Sequence, residues 1–303
     1  MKVAGLGQSS LDYIAFVDRF PEEDTKAEVT DFTVQGGGPV ATALVSLSRL
    51  GVKTFFSGRV SDDHAGVEIR RGLKAEGVDV RGLKVQKGGS SQLAFILVNR
   101  KTGSRTILWQ RPTVSPLSPS EVSPSFIKDK DFLLLDGLMM DSSVRAAKTA
   151  RAAGVPVMLD AGRVRPGMLE LAALSDYIVA SEEFARGLKL TPLDALKRLS
   201  SLNPRAATVT LGARGSVTWA GGKIFRLSAF KVRAVDTTGA GDVFHGGYVY
   251  GLLQGWDIQK TVRFASAFAA LKCLRPGGRE GIPTLKAVLK FMKSAGARVL
   301  AYG

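Results

Sequence analysis

The sequence predicts an α/β fold: a central, mostly parallel sheet with helices on both faces and a small β-sheet lid. Three observations predict it. Short apolar runs recur along the chain, and most end in Gly, Asp or Ser. Stretches with helical spacing lie between them, which is the alternation of a parallel sheet covered on both sides. Two segments, 13–34 and 92–109, instead alternate apolar and polar residues, the pattern of a half-exposed sheet. With 303 residues, 45% of them hydrophobic, the chain has ample length to bury a core.

The elements follow in order. KVAGL is the first strand, and MKVAGLGQSSLD has no long apolar run with a small-residue cleavage site, so it does not read as a signal peptide. YIAFVDRF…KAEVTDFTV (13–34) supplies the first part of the lid. Residues 39–50 have helical spacing, KTFFSG is a strand, and 64–76 is a second helix. In QLAFILVNRKTGSRTILW (92–109), NRKTGSR has turn chemistry between two strands, which predicts a hairpin. The Ser/Pro-rich stretch 111–125 is an ordered surface connection. DFLLLDG, VPVMLDAG, YIVAS and ATVTLG are buried strands, with helices over 142–153 and 192–201 between them. Asp136 and Asp160 end apolar strands, so each is a loop cap or a ligand-edge carboxylate. No internal repeat or low-complexity tail interrupts the pattern.

Composition narrows the chemistry. Two histidines and one cysteine cannot build a zinc site of the usual ligand number, and Cys273 alone forms no internal disulfide. Metal chemistry would rest on carboxylates, water and ligand phosphates, which suits Mg²⁺. The net charge of +15 raises the question of nucleic acid. The charge is spread, however, with no basic run, zinc-finger spacing or RNA-binding aromatic signature, so a basic enzyme with anionic ligands is the preferred reading and no nucleic-acid partner is expected. No stretch approaches the roughly 20 apolar residues of a membrane span. The expected compartment is the cytoplasm.

Several motifs fail on context. GLGQSS (5–10) follows a strand but leads into another alternating segment, whereas a dinucleotide fingerprint needs a helix there. GxxxxGK[ST], the HRD and DFG pair and GxSxG are all absent from the sequence.

DTTGAGDVFHG (236–246) carries the chemistry. Val243, Tyr248, Val249 and Leu252 recur at helical intervals, so Gly239–Asp242 forms the first turn of a helix. Backbone N–H groups there lack partners within the helix, small residues let an anion approach, and the helix dipole favours negative charge. Asp242 beside that anion hole can orient a hydroxyl and take its proton. A base and an anion hole at one point are what phosphoryl transfer to an alcohol requires.

The full DTTGAGD resembles the C-terminal signature of the PfkB, or ribokinase-like, carbohydrate kinases. The resemblance implies that Asp242 is the catalytic base and that Gly239, Ala240 and Gly241 stabilise the transferring phosphoryl group. It spans the chain. Asp12 matches the family's sugar-binding Asp, and GGGPVATALVSLSRLG (36–51) resembles the N-terminal signature, which places Gly36, Gly37 and Gly38 at the sugar. GRVSDDHAG (58–66) resembles the GxVGxDxxG stretch. TVTLGARGS (208–216) resembles the nucleotide loop, giving Thr210, Gly212 and Gly215. ALKCLRPGGREGIP (270–283) resembles the segment that closes the nucleotide site, giving Gly278. The resemblance further implies ATP and Mg²⁺ as cofactors, and a monovalent cation such as K⁺ near Asp236 and Thr238. It makes 13–34 and 92–109 a sugar-covering lid that pairs two subunits into a homodimer, and it makes 1–303 one kinase domain.

The sequence departs from the family in three places. Ala41 stands where an Asn usually contacts the sugar. The NxxE motif appears as Ser181-Glu182-Glu183-Phe184, which leaves Glu182, Glu183 or water to serve Mg²⁺ indirectly. DAGRVRP (160–166) lacks the usual Asn but offers Arg163 and Arg165 to a phosphate. The expected activity is ATP-dependent phosphorylation of a sugar hydroxyl, closest to a fructokinase-like or sulfosugar-kinase-like branch. The alternatives are a nucleoside kinase or a non-catalytic binding protein on the same scaffold. Of the remaining residues, Trp109 is assigned to lid packing or a sugar face. His245 is assigned to hydrogen bonding, Cys273 to apolar filling, and Arg111 to solvent or an anionic substrate group.

Overall fold

The computed structural model describes residues 1–296 and 298–301. Its main sheet has ten strands. In spatial order they are Val299–Ala301, Lys223–Leu227, Ser216–Ala220, Ala206–Thr210, Tyr177–Ser181, Val157–Ala161, Phe132–Leu135, Lys2–Leu6, Lys53–Ser61 and Asp79–Gln86. Neighbours from Ala206–Thr210 to Asp79–Gln86 all pair in parallel. The first three strands extend that edge in antiparallel fashion.

Alternation explains why the central strands read as unbroken apolar runs. Phe132 and Leu134 join the core cluster on one face of the sheet, while Leu133 and Leu135 join the cluster on the other. Helices Pro39–Arg49, His64–Ala75, Ala240–Leu253 and Ile258–Lys272 cover the first face. Met140–Ala152 and Pro192–Ser200 cover the second. The helix starts are chemically marked: the Asp63 carboxylate accepts from Gly66 N–H at 2.8 Å, and Thr191 and Asp257 cap their helices in the same way. The edge strand Asp79–Gln86 carries no such apolar run, because an edge strand buries only part of its surface.

A four-stranded sheet projects from the main layer in the order Asp31–Gly37, Ser10–Val17, Leu93–Asn99, Arg105–Gln110. Its two central strands are parallel and its outer pairs antiparallel. The hairpin over 92–109 forms as expected. Segment 13–34 is not continuous, however: the strand stops at Val17 and residues 18–30 are irregular, where Pro21 removes a ladder donor and Glu22, Glu23 and Asp24 favour solvent. Register sorts the two faces. Val34, Tyr13, Phe95 and Leu108 form one row, largely open to solvent, with Leu108 61% exposed. Gln35, Asp12, Ala94 and Trp109 form the adjacent row on the opposite face. No helix among the described residues is long and apolar enough to cross a membrane.

Candidate active site

The site is built at the carboxyl ends of the parallel strands, beneath the lid. The helix Ala240–Leu253 begins after Gly239, which has φ +72°. A Cβ there would lie 2.8 Å from the Cα and carbonyl oxygen of Gly278, so the two glycines are in direct contact. Gly278, expected at the nucleotide, thus backs the start of this helix. The N–H of Ala240 bonds the Thr237 carbonyl at 3.2 Å, and that of Val243 bonds Gly239 at 2.9 Å. The N–H groups of Gly241 and Asp242 have no protein acceptor among the described residues, and a Cβ on Gly241 would meet nothing within 4 Å. This narrows the hole: Ala240 shapes it, while Gly241 and Asp242 present free donors to open space.

Asp242 lies at the floor of the cleft, half-buried. Desolvation pushes its carboxyl well above the usual range, and the Asp160 charge adds to the rise. Arg105 opposes it, Asp12 raises it further, and Arg279 again lowers it. Five charged groups from five separate parts of the chain therefore converge. Asp12 is buried and accepts the Ser10 hydroxyl at 2.6 Å; burial raises its pKa, against Ser10 and Arg279. Gly37 is small because Asp12 lies against it, with Oδ2 only 2.1 Å from where a Cβ would sit, and the Arg279 guanidinium occupies the same place beside Gly36. Gly38, at φ +96°, turns the chain into helix Pro39–Arg49. Ala41 is fully buried in the core.

Arg279 lies within 270–283 but has no assigned role there, and Gln35 just precedes the glycine run unmarked. Arg279 is buried and donates to the Gly37 carbonyl at 2.9 Å, and burial draws its pKa down to about 10. Its own N–H donates to Gln35 Oε1 at 2.8 Å. This loop therefore ties Gly36 and Gly37 to Gly278, which packs against Gly239. Arg105 is the third unforeseen residue: from the lid it donates to Thr237 Oγ1 at 2.6 Å.

Two cavities lie near Asp242: one is lined by its neighbour Gly241, the other by Asp160, whose charge acts on it. The larger, about 710 Å³, is lined by Thr210, Gly212 and Gly215 together with Gly241, Phe244 and Cys273. Its size and glycine-lined wall fit a nucleotide. The smaller, about 270 Å³, is lined by Asp136, Asp160, Arg163, Arg165, Ser181 and Glu183. Here the two expected glutamates part. Glu183 faces this cavity and pairs with Arg163 at 2.9 Å, whereas Glu182 pairs with Arg214 beside the nucleotide loop. No group of three metal-ligating side chains occurs among the described residues. Mg²⁺ would depend on nucleotide phosphates and water, with Asp160 and Glu183 within the smaller cavity to hold that water.

The remaining assignments resolve individually. Asp136 is a loop cap, accepting from Gln8 N–H and Leu138 N–H, each at 2.9 Å. Asp160 instead faces His245 Nε2 at 3.4 Å. The Nδ1 of His245 lies 2.6 Å from the Gly241 carbonyl, so His245 is a hydrogen-bonded residue of the first helical turns. Trp109 is not lid core: it is half-exposed on the Asp12 side, with the Arg111 guanidinium 5.0 Å from its ring centroid. Cys273 is buried but lines the nucleotide cavity.

Asp236 and Thr238 are both buried. Asp236 accepts from Thr238 N–H and Gly277 N–H, each at 2.7 Å, one on each carboxylate oxygen, and its carbonyl accepts from Lys272 Nζ at 2.9 Å. Thr238 Oγ1 has no partner among the described residues. Each Asp236 carboxylate oxygen thus accepts one N–H and its carbonyl accepts a buried ammonium, so a K⁺ on this residue would sit against a positive charge the protein already supplies.

Comparison with known proteins identifies the family. The family model for "pfkB family carbohydrate kinase" matches residues 1–285. An ATP-dependent ribose-1-phosphate kinase from Halopiger xanaduensis is 30% identical over 295 residues, covering 96% of this chain and 98% of its own. The ribokinase of Bacillus subtilis is 29% identical over 284 residues, covering 92% and 95%. Among solved structures, a putative ribokinase from Agrobacterium tumefaciens superposes with a TM-score of 0.89 at 30% identity, covering 97% of each chain. The chain belongs to the pfkB family of carbohydrate kinases, with the ribokinase-like fold, and is an ATP-dependent phosphotransferase acting on a sugar-type hydroxyl.

Proposed function

We propose that this kinase phosphorylates a hydroxyl of a monosaccharide held between the lid and the sheet, with Asp242 as its base. The observation that carries the reading is the convergence on one point of the Asp242 carboxylate, the free N–H groups of Gly241 and Asp242, and Asp12 on the lid. Asp12 and the Gly36–Gly38 backbone bind the sugar hydroxyls, and Trp109 borders the same face. The nucleotide lies along Thr210, Gly212 and Gly215. Bound Mg-ATP supplies the phosphoryl group and neutralises part of its charge.

The chain's own residues do the rest. Asp242 accepts the proton of the attacking hydroxyl. The amides at the helix start stabilise charge on the transferring group, and Arg105 adds positive charge from the lid. A raised Asp242 pKa makes it a better base than an ordinary carboxylate once ionised. Lid closure excludes water, which limits ATP hydrolysis. A positive charge belongs beside Asp236 and Thr238. The exposed row of Val34, Tyr13, Phe95 and Leu108, with Tyr13 stacked on Phe95 at 5.5 Å, supports pairing of two lids in a homodimer. The reading places the enzyme in the cytoplasm as one unit.

The test is ADP release from Mg-ATP across sugars, sugar 1-phosphates, sugar acids, sulfosugars and nucleosides. One monosaccharide class should stimulate turnover strongly. ATP binding with no stimulated turnover would sink the reading in favour of a binding protein, and a nucleoside as the sole hit would move the substrate class.

A further inference from the structure

Helix Ile258–Lys272 ends behind the loop that carries Asp236. Lys272 is fully buried, and its ammonium donates to the Asp236 carbonyl at 2.9 Å. Asp236 is fully buried as well, and its carboxylate accepts from the N–H groups of Thr238 and Gly277. The Cys273 carbonyl accepts Val235 N–H at 2.7 Å. One ammonium and one carboxylate thus join three pieces of backbone: the helix end at 272–273, the irregular segment leading into the anion hole at 235–238, and the loop at 277–278 that backs Gly239.

A buried lysine is costly, and an apolar residue would fill the space without that cost. Burial lowers the Lys272 pKa while the Asp236 carboxylate raises it again; Cys273, Arg105 and Asp242 are the other ionisable groups that act on it. The ammonium stands at a helix C-terminus, where positive charge is favoured. It is close in charge and size to a hydrated-shell-free monovalent cation, and it bonds an oxygen of the very residue that would ligate one.

Resting on the kinase reading of this loop, we infer that the Lys272 ammonium is the cation that organises the anion hole, so that this enzyme works without K⁺. Lys272 is a positioning residue: it touches neither substrate nor the reacting atoms. It fixes Asp236, which fixes Thr238 and Gly277, and these set where the free N–H groups of Gly241 and Asp242 point.

The test compares wild type with Lys272→Ala in sodium, potassium, ammonium and methylammonium chlorides. ADP binding by calorimetry and ADP release with an accepted sugar are both read. Wild type should vary less than about twofold in either quantity, since an occupied position gains nothing from added cation. Lys272→Ala should lose about 10²-fold in turnover in sodium, the scale of a misplaced donor to developing charge. Potassium, ammonium or methylammonium should restore at least about tenfold of it. Strong stimulation of wild type by potassium overturns the inference and assigns the cation to a site that includes Thr238 Oγ1. A folded Lys272→Ala that no cation rescues also overturns it, leaving Lys272 a structural residue. Should the variant fail to fold, the wild-type salt comparison decides alone. Because ADP binding is read independently of turnover, absence of activity on every sugar would count against the kinase reading and leave this inference standing or falling by itself.

Discussion

The two cavities beside Asp242 are built by opposite means. The larger cavity presents mostly backbone and small residues, among them Thr210, Gly212, Gly215, Ala240 and Gly241, with Phe230, Phe244, Arg105 and Lys231 as its larger side chains. The smaller cavity is made of charged side chains: Asp136, Asp160, Arg163, Arg165 and Glu183. A wall of backbone has few ways to vary where its glycines are conformationally required, as Gly212 at φ +57° and Gly215 at φ +91° are. A wall of charged side chains can exchange partners while keeping its net field. The difference predicts that errors on the backbone side break the enzyme, while errors on the charged side retune it.

The largest effect should come from Asp242, which adjoins Gly241 of the larger cavity and feels the charge of Asp160 in the smaller. Asp242→Asn removes the base yet keeps the shape, so turnover should fall about 10²–10⁴-fold, the range for a lost general base. ADP affinity should be unchanged. Near-normal turnover would take Asp242 out of the mechanism. On the backbone side, Gly239→Val forces a Cβ into Gly278 at 2.8 Å and strains a residue at φ +72°. The strain alone costs about 1–3 kcal/mol. Displacement of the amides behind it should lower turnover by about 10²–10³-fold. Full activity in this variant would show that the glycine contact does not position the hole.

That contrast also explains what the sequence could show. Gly239, Gly241 and Asp242 were legible because spacing alone defines a helix start, and the alternation of apolar runs defined the parallel sheet. Arg279 was not legible. Nothing in RPGGREG tells a buried arginine from a solvated one; only the fold brings it to Gly37 and Asp12. Arg105 sits in a hairpin that was predicted, yet its contact with Thr237 joins residues 132 positions apart. The altered NxxE stretch offered Glu182 and Glu183 equally, and the first turn of a helix separated them: one faces Arg214, the other Arg163 and the cavity. Strand edges such as Asp79–Gln86 escaped because a half-exposed strand has no continuous apolar run.

The charged side should therefore split by residue. Glu183→Gln should raise the Mg-ATP requirement about tenfold, the lower end of what outer-shell partners of a metal contribute. Glu182→Gln should change it less than about twofold, because an exposed ion pair is worth roughly 0–1 kcal/mol. Measuring the KM for Mg-ATP at fixed sugar separates them. Equal effects would mean that neither glutamate reaches the metal's water, and that the smaller cavity plays no part with Mg²⁺.

The mildest and most specific prediction concerns stability. Burial, chiefly, raises the Asp136 carboxyl from 3.8 to about 7, with the Asp160 charge adding to it against two backbone donors. Its folded pKa lies above its unfolded one, so the folded state holds the proton more tightly. The stabilisation is complete below about pH 4 and is lost as pH rises through about 7. This is the reverse of a salt-bridged carboxylate, which loses stability as pH falls. Asp136→Asn cannot ionise, but keeps one oxygen to accept from Gln8 or Leu138. Its melting temperature should therefore fall less than that of wild type as pH rises from about 4 to about 7, the two curves separating across that window and no further above about pH 8. Asp160, Asp12 and Asp242 are shifted in the same direction, so a residual slope should survive in the variant. Parallel curves would show that the Asp136 proton is not linked to folding. The smaller cavity would then draw its acidity from Asp160 alone, and the tolerance expected of its charged wall would have to come from the ion pair of Arg163 with Glu183.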